Sequence, residues 1–188
     1  RGYVDSGDRV AANYIAKQFK SLSLKSFEKG YKQPFDLSVN NINSTKILLD
    51  NKQLKPGFDY LVAPNSPTIT GDYQVFYISQ KMLYSNSIVK KVCKAIKRGY
   101  VPVISRFDKK DQALKKTISE IQKLSDKGPI IFLKDRLTWS VSTTQSKGVE
   151  IWMLDSVFNR FSKDIRINIT STYISSYESN HGAGYLEV

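Results

Sequence analysis

The apolar positions of this chain follow a helical period at its start, a strand period after that, and an alternation of the two through its middle. Val10, Ala11, Tyr14, Ile15 and Phe19 recur at helical spacing behind a cluster of good helix-capping residues, Asp5, Ser6, Gly7 and Asp8. Lys17 and Lys20 occupy the other side and the C-terminal end, where the helix dipole favours cations. The pattern predicts an amphipathic helix over 8–22 with Tyr14, Ile15 and Phe19 turned inward. Residues 35–49 alternate well enough for strands (Phe35, Leu37, Val39; Ile47, Leu48, Leu49). Pro56-Gly57, Pro64-Asn65 and Pro67 then predict a loop-rich passage as far as Gly71.

From 74 onward strands and helices alternate. Residues 74–79 read as a strand. Ile88, Val89, Val92, Cys93 and Ile96 make a helical stripe that stops at Gly99, a favoured position just past a helix end. The strand expected over 100–105 contains Pro102, which argues for an edge or a bulge. A second stripe, from Ala113 to Leu124, ends before Gly128-Pro129. Residues 130–133 and 149–154 read as buried strands, joined by a polar passage over 140–148 that fits a hairpin or a loop. Asp155-Ser156 can cap a short helical turn reaching Phe161, and 165–169 and 183–188 alternate again. This order predicts an α/β fold, with mixed sheet and flanking helices over 55–163, an N-terminal helix before it and terminal strands around it.

A length of 188 residues suits one domain, or one domain with a small attached piece. No apolar run approaches the roughly eighteen residues of a membrane span. The start at Arg1, without a signal-peptide pattern, reads as a processed or trimmed end. Cys93 is the single cysteine, so no internal disulfide can form; its place on the apolar stripe predicts a buried structural thiol. The net charge of +12 is largely local, because residues 86–125 hold eleven basic residues against Asp108, Asp111 and Glu120. Lys90, Lys94, Lys97, Arg98 and Arg106 form the candidate anion-binding patch. A solvated lysine face on two helices accounts for the same pattern more simply.

The opening DSGDRVAANYIAKQFKSLSL, followed by YKQPF, resembles the start of secreted zinc aminopeptidases, whose relatives include glutamate carboxypeptidases and the transferrin receptor. In that family a glycine-rich turn precedes a helix ending in Phe-Lys-x-Leu-Gly-Leu, and a Gln-x-Phe strand follows. The tail YESNHGAGYLEV is similar to the family's entry into its catalytic domain, and VCKAIKRGYVPVIS to a helix and strand of its inserted protease-associated domain. Ser23 stands where the family has glycine, Gly182 where it has valine, and Val188 where it has the last glycine. The resemblance implies a front end over 1–54, a protease-associated α/β domain over 55–163, and return strands over 164–188 that lead to a catalytic domain. It also implies a secreted or periplasmic protein, with the zinc ligands and catalytic glutamate downstream of Val188. The expected partners are that catalytic domain and its peptide substrate.

The residues themselves supply little chemistry. A catalytic zinc needs at least three ligands from His, Asp, Glu or Cys with one position open for water. His181 is the only histidine, and any Ser-His-Asp or Cys-His arrangement would have to share it. It reads as an exposed loop or strand-edge residue. Neither a phosphate-binding glycine loop nor a nucleophile elbow is present. Tyr100, Arg106 and Phe107 are the only aromatic–basic grouping that suits a nucleic-acid platform, and nucleic acid is not the expected partner. Trp139 and Trp152 read as strand-packing residues. The alternative function is a free-standing basic α/β module for nucleic acid or another anionic surface. Metal analysis of the purified chain should therefore find no stoichiometric zinc, and aminoacyl substrates should not be hydrolysed. Tight one-to-one zinc that disappears in His181→Ala would overturn this reading.

Overall fold

The computed structural model describes residues 6–27, 29–108, 110–125 and 127–187. Asp5, Lys109 and Val188 lie outside the described residues. Helix α1 spans Gly7–Ser21, but neither Ser6 nor Asp8 caps it as the sequence suggests. Ser6 is left-handed, with φ 56°, and makes no side-chain cap. Asp8 instead turns to a strand at the other end of the chain. Its carboxylate accepts hydrogen bonds from Tyr177 Oη at 2.8 Å and Ser179 Oγ at 2.8 Å. Burial pushes the Asp8 carboxyl up, but these two bonds together with the backbone N–H groups of Arg9 and Asp8 outweigh it and hold the group below the ordinary carboxylate range.

The inward face of α1 also differs from expectation. Ala12 and Ala16 are buried and Phe19 is half-buried, whereas Tyr14 is 63% exposed and Ile15 39% exposed. The cause is close approach, since small residues let the helix settle on the end of the sheet. A Cβ added at Gly182 would stand 2.7 Å from Ile15 Cγ2. This is the position where the resembling family has valine.

Eight strands form one mixed sheet in the order β2-β1-β8-β4-β5-β6-β7-β3. Their ranges are β1 Lys32–Leu49, β2 Lys52–Gln53, β3 Tyr60–Val62, β4 Ile69–Ile78, β5 Val101–Ile104, β6 Pro129–Lys134, β7 Val149–Leu154 and β8 Asp164–Gly182. β1 and β8 pair antiparallel from Lys32↔Gly182 to Leu49↔Ile165. Asn43 is the extra residue of a bulge between Ile42 and Ser44. β4 is shared, its first half antiparallel to β8 and its second half parallel to β5. Hydrogen bonding therefore runs without interruption from the terminal strands into the parallel set β4-β5-β6-β7.

Helices α2 (Gln80–Leu83), α3 (Asn86–Lys97) and α4 (Gln112–Leu124) cover one face of the parallel strands, closing a core of Ile78, Val92, Ile104, Leu114, Ile118 and Ile121. On the other face the sheet curls over itself. Ile47 of β1 and Ile165, Ile167 and Ile169 of β8 share a second core with Tyr60 of β3, Ile131 of β6 and Ile151 of β7. Tyr60 Oη reaches Thr45 Oγ1 at 3.0 Å, linking strands from opposite ends of the sheet order.

Several local expectations give way to this arrangement. Pro102 sits inside β5, a central strand, and not at an edge or bulge. The ladder to β6 begins only at Val103↔Ile131, after the residue that has no N–H to give. The loop-rich passage contains β3, and β4 starts at Ile69 rather than 74. Residues 155–161 form turns without a helix, and 140–148 is a loop. The second C-terminal strand segment is absent over 183–187, where Tyr185 makes only an isolated bridge to Lys25, while β8 continues to Gly182. Cys93 is half-buried rather than buried.

Beyond α1, Ser23 adopts φ 58° while Leu24 N–H donates to Phe19 O at 3.1 Å. That left-handed position closes the helix end and favours a residue without Cβ, which gives a physical reason for the glycine of the resembling family. Ser23→Gly should raise stability by about 0.5–1 kcal/mol, because relief of the left-handed strain exceeds the added unfolded-chain entropy. Urea unfolding would measure it, and a midpoint equal to or below that of the original chain would count against the strain.

Candidate functional site

The residues of the candidate patch separate into two places. Lys90, Lys94 and Lys97 are exposed on α3, and Arg98 is its C-cap. Lys94 and Lys97 stand in the last helical turn, so the dipole accounts for part of their placement. Arg106 follows the opposite end of β5, a strand length of roughly 13 Å for four residues at about 3.3 Å each. There its guanidinium pairs with Asp135, and its Nε lies 3.8 Å from Asp155 Oδ2. Tyr100 precedes β5 while Arg106 and Phe107 follow it, so the strand also separates Tyr100 from the other two.

His181 is exposed near the end of β8, paired across the ribbon with Gln33. Its ring stacks on Phe35 with centroids 4.0 Å apart and planes 13° from parallel. Among the described residues, no group of three or more His, Cys, Asp or Glu is placed to hold a metal ion.

The main concavity lies where the curled sheet fails to close. β1 and β3 approach each other without forming a ladder, and side chains bridge the seam at both ends. At one end Asn40, only 6% exposed, donates from Nδ2 to Pro64 O at 2.7 Å and Ser66 O at 2.9 Å. Its Oδ1 accepts from Gln145 Nε2 at 2.8 Å, and its backbone N–H donates to Ser142 O at 3.0 Å. Every polar group of this buried amide side chain is thereby engaged, tying the loop after β6 onto β1. The other bridge is the bond from Tyr60 Oη to Thr45 Oγ1. Burial pushes the Tyr60 phenol up, so this hydroxyl stays a donor at any ordinary pH.

Between the bridges lies a groove of about 870 Å³, walled by β1, β3 and the loop segment 138–141. The chain has two tryptophans, and both line it. Trp139, expected to pack on the sheet from in or beside a strand, is 71% exposed on the loop. A Cβ on Gly57 would stand 3.4 Å from its ring. No charged residue lines the groove. A second cavity of about 540 Å³ adjoins it through Thr138, Ser140 and Trp152. That cavity holds Arg106, Lys134 and Arg136 beyond the carboxyl ends of β5 and β6, a region where open α/β sheets commonly bind ligands. No local pattern signals the groove, because the 138–141 wall lies more than seventy residues from β1 and β3 in the chain and only the curl of the sheet brings the three together.

No family model matches the sequence, and no curated protein matches it. Among solved structures, the fold is similar to that of a peptidase M28 precursor from Shewanella amazonensis SB2B, with a TM-score of 0.53 at 13% identity. The match covers 94% of this chain and 44% of that one, so the chain spans under half the length of the structure it resembles. At this identity the likeness shows the fold alone.

Proposed function

We propose that this chain is the non-catalytic front portion of a secreted or periplasmic zinc-dependent aminopeptidase. In this reading its central α/β part is a protease-associated domain that shapes access of peptide substrates to a separate, zinc-bearing catalytic domain. The observation that carries the reading is the likeness to the M28 precursor, which takes in 94% of this chain but less than half of the other. A feature of α1 supports it: Val10 is 66% exposed, Tyr14 63% and Leu22 67%. A helix that fully buries only Ala12 and Ala16 and leaves large apolar residues mostly exposed fits a second partner. Access is shaped by walls and orientation in this reading, so it asks no reactive group of the chain itself.

Without its partner α1 should be weakly protected. Hydrogen exchange of the chain should find the α1 amides faster than those of α3, which packs into the core through Val92. Replacing Val10, Tyr14 and Leu22 together by serine should change stability by no more than about 0.5 kcal/mol, as expected of substitutions at mostly exposed positions. Equal protection of the two helices, or a large loss of stability in the triple variant, would count against a missing partner.

The exposed lysines of α3 favour the second reading, a module for anionic surfaces. A salt titration of DNA binding, with the chain and its Lys90→Glu, Lys94→Glu, Lys97→Glu variant, separates the two. We expect weak binding without sequence preference, lost steeply with salt. Submicromolar affinity persisting at about 0.15 M salt, where the Debye length is roughly 8 Å, would favour the alternative.

A further inference from the structure

The groove between β1, β3 and the 138–141 loop has walls of an unusual kind, since both strands present unpaired edges to it. β3 ends the sheet order and pairs only with β7. Ala63 N–H donates to Glu150 O and Leu154 N–H to Asp59 O, so Asp59, Leu61 and Ala63 face β7. By strand alternation the N–H and C=O of Val62 face the groove. On β1, β2 covers only Leu48 and Leu49. Ile47 O accepts from Leu54 N on the side away from β8, and Thr45, two residues earlier, turns its backbone the same way. Unpaired strand edges are templates for another main chain.

The lining then restricts the side chains that chain can carry. This protein holds 29 lysines and arginines and 17 acidic residues, yet none of them lines the groove. Its apolar surface includes Trp139, Val141, Trp152, Ile42 and Val62, and its free neutral hydrogen-bonding groups include Asn41, Thr138 and Ser140. A buried charge on a ligand would find no counter-charge there and would forfeit its hydration. An aliphatic or aromatic side chain would cover the exposed indole, while neutral polar side chains would meet the rim.

We propose that this groove binds an extended stretch of peptide bearing uncharged side chains. Its main chain pairs along the free edges at Thr45 and Val62, and an apolar side chain rests on Trp139. The proposal deepens the accessory reading and takes its biological meaning from it, naming the class of peptide the front portion would select. The mode is strand addition, in which backbone bonds supply affinity and side-chain contacts supply selectivity.

Because both tryptophans line the groove, tryptophan emission of the intact chain reports its occupancy directly. The probe is a blocked hexapeptide of alternating threonine and valine with one central phenylalanine. We expect a saturable emission shift, weakened at least about tenfold when two threonines become glutamate or lysine. Methylating alternate backbone nitrogens of the probe should weaken it as much, which a groove reading only apolar surface would not do. Trp139→Ala removes an exposed side chain and leaves Trp152 as reporter; it too should lose at least about tenfold in affinity with an unchanged melting temperature. The proposal fails if no peptide saturates the signal, if charged or N-methylated probes bind as well as the parent, or if Trp139→Ala binds unchanged. It also fails if a neutral glucose hexasaccharide binds more tightly than the peptide. These outcomes are distinct from failure of the accessory reading, which rests on α1 and its exchange and leaves peptide binding untouched.

Discussion

The pairing of β1 with β8 is the interaction from which the other elements hang. Lys32 meets Gly182 and Leu49 meets Ile165, so the ribbon joins segments separated by more than a hundred residues. Closing so long a loop costs conformational entropy, but the cost grows only with the logarithm of loop length. The ribbon offsets it with a nearly continuous ladder and with the buried Ile47, Leu49, Ile165, Ile167 and Ile169. It also fixes the helix at the start of the chain, because Tyr177 and Ser179 of β8 hold Asp8. Through the Ile69↔Ile169 register it sets the position of β4, on which the parallel strands build outward.

The same ribbon determines why the sheet stays open at one seam. Asn43 shifts the register, so that Asn40 N–H and Ile47 C=O both face away from β8 although seven residues separate them. Those groups would suit a partner strand, but β3 has only three residues and already pairs with β7. Side chains close the gap where backbone does not. Asn40 does so with a buried amide whose donors and acceptor are all matched, and Tyr60 with a hydroxyl at the far end. Removing the Asn40 amide would leave the buried Ser66 carbonyl without this donor, which costs more than the bond itself contributes. The seam is thus held at fixed width by two side chains, with space between them.

Much of the parallel half was legible in the sequence, and for a local reason. The stripes of α3 and α4 each place one face on the sheet, and Gly99 takes φ 89° where a glycine was expected to end α3. The runs 130–133 and 149–154 read as buried strands from their own apolar residues, although Ile47 and Tyr60, far away in sequence, help to bury them. The ribbon was harder to read. Residues 170–182 of β8 are largely polar and half-solvated, so their alternation carries little apolar signal, although Thr, Tyr and Ile favour strands. Tyr14 misled because periodicity identifies an apolar stripe without naming its partner. The alanines that in fact face β8 have weak hydropathy and a strong steric reason to be there. Arg98 and Arg106 lie at opposite ends of β5, so nearness in sequence across a strand does not by itself bring side chains together.

Charge is segregated in this molecule, and the segregation bears on how recognition can work. The lysines of α3 stand outside the helix layer, on the face of the sheet opposite the core shared by β1, β3 and β8. At physiological salt the field of exposed charges decays over about 8 Å, less than the roughly 10 Å that separates packed layers. Those lysines can draw an anionic surface or an acidic neighbouring domain toward the helices, but they exert little influence at the seam. Within the groove, selection falls instead to the direction of backbone groups at Thr45 and Val62 and to the indole of Trp139. Arg106 marks the transition. It stands in the adjoining cavity with its charge engaged by Asp135 and Asp155, and Lys134 and Arg136 line that cavity too, so charged groups begin only beyond the groove's end. A ligand passing along the groove would therefore meet directional, uncharged contacts first, and its affinity there should depend on shape and main-chain hydrogen bonding far more than on ionic strength.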